Sequence, residues 1–149
     1  MNTLAIKTFS LACTAALALS SIVCRPAIAD GRPLHVTMSG AEEVPGPGDP
    51  DGAGEASITL NHGLGEICFE IRVSKLATVT AAHIHEAAEG ASGPKRLELS
   101  PVPSFGFSQG CQPADQELVK RMIQNPSGFY MNIHTVEFPG GAVRGQLSF

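Results

Sequence analysis

Glu66-Ile67-Cys68-Phe69-Glu70-Ile71-Arg72-Val73 is the stretch that decides the fold class. Ile67, Phe69, Ile71 and Val73 share one parity, and Cys68, Glu70 and Arg72 share the other. Side chains alternate across a strand, so this run reads as a half-buried β-strand with an apolar inner face. Asn61-His62-Gly63-Leu64-Gly65 precedes it and is rich in turn formers, which predicts a hairpin with a strand over Gly54–Leu60. Farther out, similar short runs lie at Leu34–Ser39, Val79–His85, Arg96–Leu99, Phe129–His134 and Ala142–Ser148. Repeated short strands between turn signals predict an all-β fold, a Greek-key β-sandwich or flattened barrel of about seven to eight strands.

One segment has another period. Leu118 with Met122, and Val119 with Ile123, are i,i+4 pairs beside Glu117, Lys120 and Arg121. That stripe predicts one short helix over Ala114–Gln124, lying across an open end of the sandwich. Asp115 and Glu117 suit its first turn, and Lys120 and Arg121 its later part. Asn125-Pro126 ends it, because the residue before proline avoids the α region. Pro45–Gly52 and Pro101–Gly110 read as loops.

Residues 1–29 read as a signal peptide. Lys7 is a positive n-region, Leu11–Val23 an apolar h-region, and Ala27-Ile28-Ala29 an A-x-A cleavage site before Asp30. Lipid attachment at Cys24 is disfavoured by Val23 and by Ser21, which are the wrong residue types there. The expected product is residues 30–149, one domain, exported to the periplasm or secreted. It holds all 14 acidic and eight of the 10 basic residues, a formal charge of −6. That balance argues against nucleic acid and anionic membrane surfaces as partners. No further apolar run is long enough to span a bilayer. Cys13 and Cys24 leave with the signal. Cys68 and Cys111 remain, an even pair in an oxidising compartment, and read as one disulfide; two buried free thiols are the alternative.

The chemistry lies in His83-Ile84-His85 and in Tyr130-Met131-Asn132-Ile133-His134-Thr135. Strand parity puts His83 and His85 on one face, and His134 on a second strand can join them. Three imidazoles suit copper, zinc, nickel or iron, with copper highest in the affinity order. Nitrogens about 2 Å from one ion lie within about 4 Å of one another, and binding should weaken as pH falls through about 6.5, since imidazolium cannot ligate. Ligand rings usually donate their other nitrogen to a carboxylate or carbonyl, for which Glu43 and Glu86 are candidates. The competing reading is a buried hydrogen-bond network without metal. His35 and His62 read as solvated. Arg144 reads as one half of an ion pair with Glu43, Glu70 or Glu137. Ser104 and Ser108 have no paired base in view, and no phosphate-binding glycine loop precedes a helix.

Glu42-Glu43-Val44-Pro45, Ala82–Glu86, Gly90…Gly93-Pro94, Tyr130–Thr135 and Phe138-Pro139-Gly140-Gly141-Ala142-Val143-Arg144-Gly145-Gln146-Leu147 follow in order. Together they resemble the CHRD domain, the module named from chordin, over essentially the whole of residues 30–149. Cys68 and Cys111 resemble positions seen in its bacterial members. A more distant resemblance links His83, His85 and His134 to the copper strands of copper–zinc superoxide dismutases. There, Gly141-Ala142-Val143-Arg144 is similar to a segment whose arginine guides the anion. No histidine lies between His85 and His134, so the bridging ligand and zinc cluster of those enzymes have no counterpart. The leading expectation is an exported CHRD-domain binding module that holds a transition metal, copper favoured, or engages an extracellular or periplasmic protein. The alternatives are a copper-dependent dismutase-like enzyme and a structural or adhesive interaction module.

Overall fold

A computed structural model describes residues 33–149, so the signal segment and its cleavage site lie outside the described residues. Eight strands form one antiparallel sheet: β1 (Leu34–Ser39), β2 (Ala53–Asn61), β3 (Glu66–Ser74), β4 (Val79–Glu86), β5 (Lys95–Glu98), β6 (Phe107–Pro113), β7 (Phe129–Thr135) and β8 (Val143–Gln146). Their order is β5-β4-β7-β8-β1-β2-β3-β6. The sheet curls into a half-barrel whose concave face holds the core, so the fold is all-β, and one curled sheet replaces two separate layers.

Period-2 patterning drives this arrangement. Leu34, Val36 and Met38 of β1, Ile58 of β2, Ile67, Phe69 and Ile71 of β3, Ala82 and Ile84 of β4, and Met131 and Ile133 of β7 all turn inward and are buried. A fully buried aliphatic or aromatic side chain contributes roughly 1.5–3 kcal/mol, so this face outweighs any single polar contact. One helix, α1 (Gln116–Gln124), covers one end of the half-barrel. It buries Leu118, Val119 and Met122, while Ile123 stays 41% exposed. The Asp115 side chain caps it by accepting from the Leu118 N–H at 3.0 Å, a contact worth about 1 kcal/mol.

Strand β6 falls partly within the segment read as the loop Pro101–Gly110. Its inward positions, opposite Ile71, Phe69 and Ile67, are Ser108, Gly110 and Gln112. A Cβ on Gly110 would stand 3.0 Å from the Ser100 carbonyl oxygen and 3.2 Å from the Phe69 ring. The chain arriving from β5 therefore fills the space that apolar side chains would otherwise occupy, and no alternation is left to read. The Cys68–Cys111 disulfide joins β3 to this strand, where the two residues are direct cross-strand partners.

Candidate metal centre

β4 and β7 are neighbours, with His83 opposite Asn132, His85 opposite Tyr130, and His134 opposite Ala81. Their inward parity carries Ala82, Ile84, Met131 and Ile133. The three histidines therefore share the outward face with Tyr130 and Asn132. Nδ1 of His83 lies 3.1 Å from Nε2 of His134. One nitrogen from each of the three rings lies within 4.8 Å of the others. Ligands about 2 Å from one ion lie within about 4 Å of one another, and the 3.1 Å between His83 and His134 falls inside that limit.

Backbone carbonyls fix two of the rings. Nδ1 of His85 donates to the Gly93 carbonyl, and Nδ1 of His134 to the Pro139 carbonyl, each at 3.0 Å. A carbonyl only accepts, so those nitrogens carry the protons and Nε2 of each ring keeps its lone pair. Nε2 of His85 is buried and has no hydrogen-bond partner. Burial pushes the His83 imidazole down to about 4, helped by the nearby His134, Lys95 and His85. Burial also lowers His85, against the opposing pull of the Gly93 carbonyl. Both rings are thus held in the neutral form that ligates metal.

The supporting loops explain two of the glycines. A Cβ on Gly93 would stand 2.1 Å from the Glu86 carbonyl oxygen, so only glycine lets the β4–β5 loop approach His85 this closely. Gly141 has φ +146, and a Cβ there would lie 2.4 Å from a Glu43 carboxylate oxygen. The Phe138–Gly141 turn delivers the Pro139 carbonyl to His134.

Glu43 and Glu86 take other partners than the sequence reading gives them, and Arg144 lies close to the site but buried. The second nitrogens of His85 and His134 meet carbonyls, not Glu43 or Glu86. Glu86 pairs with Arg96 at 2.7 Å and Arg121 at 3.2 Å, tying β4 to β5 and to α1. Glu70 pairs with Arg72. Arg144 is 2% exposed. Its Cζ lies 3.6 Å over the Tyr130 ring, and Nη2 donates to the Ala88 carbonyl at 3.2 Å. His85 stacks on the same tyrosine at 4.8 Å. Because β7 lies between β4 and β8, the imidazole and the guanidinium approach Tyr130 from opposite sides. The Tyr130 hydroxyl accepts from the Gly93 N–H at 3.2 Å. Tyr130 and Asn132 were legible as two residues on the same parity as His134, but neither is a metal-ligand type. His62 lies in the β2–β3 turn and His35 on β1, both exposed.

Glu43 is 7% exposed and accepts a hydrogen bond from Asn132. Burial pushes its carboxyl up to about 7, against the opposing effects of Arg144 and Asn132. A raised folded value means that Glu43 contributes fully below its unfolded value of 4.5, and that this contribution is lost as pH rises through about 7. Glu43→Gln keeps the neutral form, so it should stabilise the protein by about 1–3 kcal/mol at pH 8. The gain should vanish below pH 4.5. Urea unfolding at the two pH values measures it, and an equal effect at both would argue against a buried neutral acid.

Compared with known proteins, the chain matches the family model described as CHRD domain over residues 34–147. Neither the curated proteins nor the solved structures give a match. The matched span takes in all eight strands, the His83-Ile84-His85 face and the Phe138–Gly141 turn with β8 after it, and the chain belongs to the CHRD domain family.

Proposed function

We propose that this CHRD domain is an exported binding module that holds one transition-metal ion, copper in preference to zinc, on His83, His85 and His134. The observation that carries the reading is the buried, unpartnered Nε2 of His85 beside two other imidazoles. A buried polar nitrogen left without a partner costs about 1–3 kcal/mol, and a bound cation removes that cost. The carbonyls of Gly93 and Pro139 play the part of the outer partners that orient ligand histidines. When bound, copper would supply a Lewis-acidic, one-electron redox centre with three protein nitrogens and an open position.

Binding is better supported than turnover. A dismutase-like reaction would want a cation reaching solvent near the ion, whereas Arg144 is buried against Tyr130 and the β4–β5 loop. Among the described residues, no helix is long and apolar enough to cross a membrane. The disulfide and the family fit an extracellular setting. Intact-mass analysis of the exported form should give a chain beginning at Asp30; a retained leader or a lipid on Cys24 would defeat that part of the reading.

Titration of untagged protein with Cu(II) should saturate at one ion per chain, with nitrogen ligation visible by electron paramagnetic resonance. His83 competes with protons only as pH approaches about 4. The His83 ring should therefore stay neutral and able to ligate below the pH of about 6.5 at which ordinary imidazoles protonate. Absence of saturable copper binding at pH 7 would refute the metal site and leave a protein-interaction role.

A further inference from the structure

A second cluster of metal-ligand types lies at the opposite end of the sheet, on β3 and the edge strand β6. Glu66 and Cys68 are two apart on β3 and so share a face, and Cys111 is the direct partner of Cys68 on β6. A Glu66 carboxylate oxygen lies 3.6 Å from Cys68 Sγ. One ligand atom from each of the three falls within 4.8 Å of the others. In the oxidised protein the two sulfurs are committed to each other.

Two features make that bond openable without losing the fold. Cys111 is exposed, and the bridge forms part of the floor of an open hollow of about 500 Å³ bounded by Ser57, Thr59 and Gln109. Exposed disulfides are the more labile ones. The bridge also spans strands already paired continuously from Glu66↔Pro113 to Arg72↔Phe107. Breaking it leaves that ladder in place, with both thiols facing the same way.

We propose that Cys68, Cys111 and Glu66 form a redox-gated site for a thiophilic cation of the Zn(II) kind, opened when a dithiol reduces the bridge. The dithiol gives up two electrons and two protons and closes its own disulfide. The Cys68–Cys111 bond breaks, and each sulfur gains one electron and one proton. The cation then displaces both thiol protons to solvent. Thiolates about 2.3 Å from one ion sit roughly 3.8 Å apart, a separation that rotation about the two Cα–Cβ bonds reaches with the strands fixed. Glu66 supplies the third ligand and water the fourth. This site is independent of the histidine site.

The test uses residues 30–149, reduced with dithiothreitol, desalted without oxygen and titrated with Cd(II) as the probe. The reduced protein should keep its circular dichroism, bind one ion per chain and show the thiolate-to-cadmium charge-transfer band. The unreduced protein should show no such band. Cys68→Ser should remove it, His134→Ala should leave it, and Glu66→Gln, which removes a ligand, should weaken binding more than about tenfold. A bridge that resists native reduction, a reduced protein that unfolds or shows no band, or Glu66→Gln with unchanged affinity would each overturn the proposal.

Discussion

His134→Ala should abolish tight copper binding while leaving the sheet folded. His134 is one of three converging nitrogens, its Nε2 lying 3.1 Å from Nδ1 of His83. Losing a partner outside the ligand shell already costs roughly 10–100-fold in metal affinity, and losing a ligand should cost more. His83→Ala should behave alike. His62→Ala should bind as the unaltered protein does, because His62 lies in the exposed β2–β3 turn. His134 also donates to the Pro139 carbonyl, so its removal should loosen the Phe138–Gly141 turn. Circular dichroism separates that local effect from misfolding, and His134→Gln provides a polar control. Copper affinity equal to that of the unaltered protein in a folded His134→Ala variant would remove His134 from the site.

The double replacement Cys68→Ser and Cys111→Ser should lower stability by about 4 kcal/mol, the chain-entropy figure for a loop of this length. The bridged residues are 43 apart in sequence. For residues 30–149 the loss corresponds to a fall in Tm of about 15 °C. The protein should still fold, because six β3–β6 residue pairs besides Cys68↔Cys111 hold the two strands together. Urea unfolding of the oxidised protein and of the double variant measures the difference. A loss under about 1 kcal/mol would mean that residual structure already restricts the unfolded chain without the bridge.

The fold class was legible wherever a strand presents one face to the core. Glu66–Val73 alternates in sequence and in burial, with Ile67 and Ile71 at 0% exposure. The helix was legible in the same way, through Leu118, Val119 and Met122. Strand β6 was not, since its inward residues Ser108 and Gly110 are small and the β5–β6 crossover packs against them. Composition cannot report a strand whose core face is filled by another part of the chain.

For the candidate site, the sequence by itself determined the shared face of His83 and His85, because parity along one strand is a local property. Only the tertiary structure decided that His134 joins them, through the β4–β7 register that sets it opposite Ala81. It also decided what surrounds them. Gly93 and Pro139 belong to the family's motifs but act through backbone carbonyls, which every residue possesses, so their residue types do not announce that role. Arg144 reads in sequence as one half of an ion pair, yet β8 lies beside β7, and that neighbour relation lays its guanidinium over Tyr130. Local periodicity fixes which way a side chain faces; what it meets there depends on contacts between residues far apart in the chain.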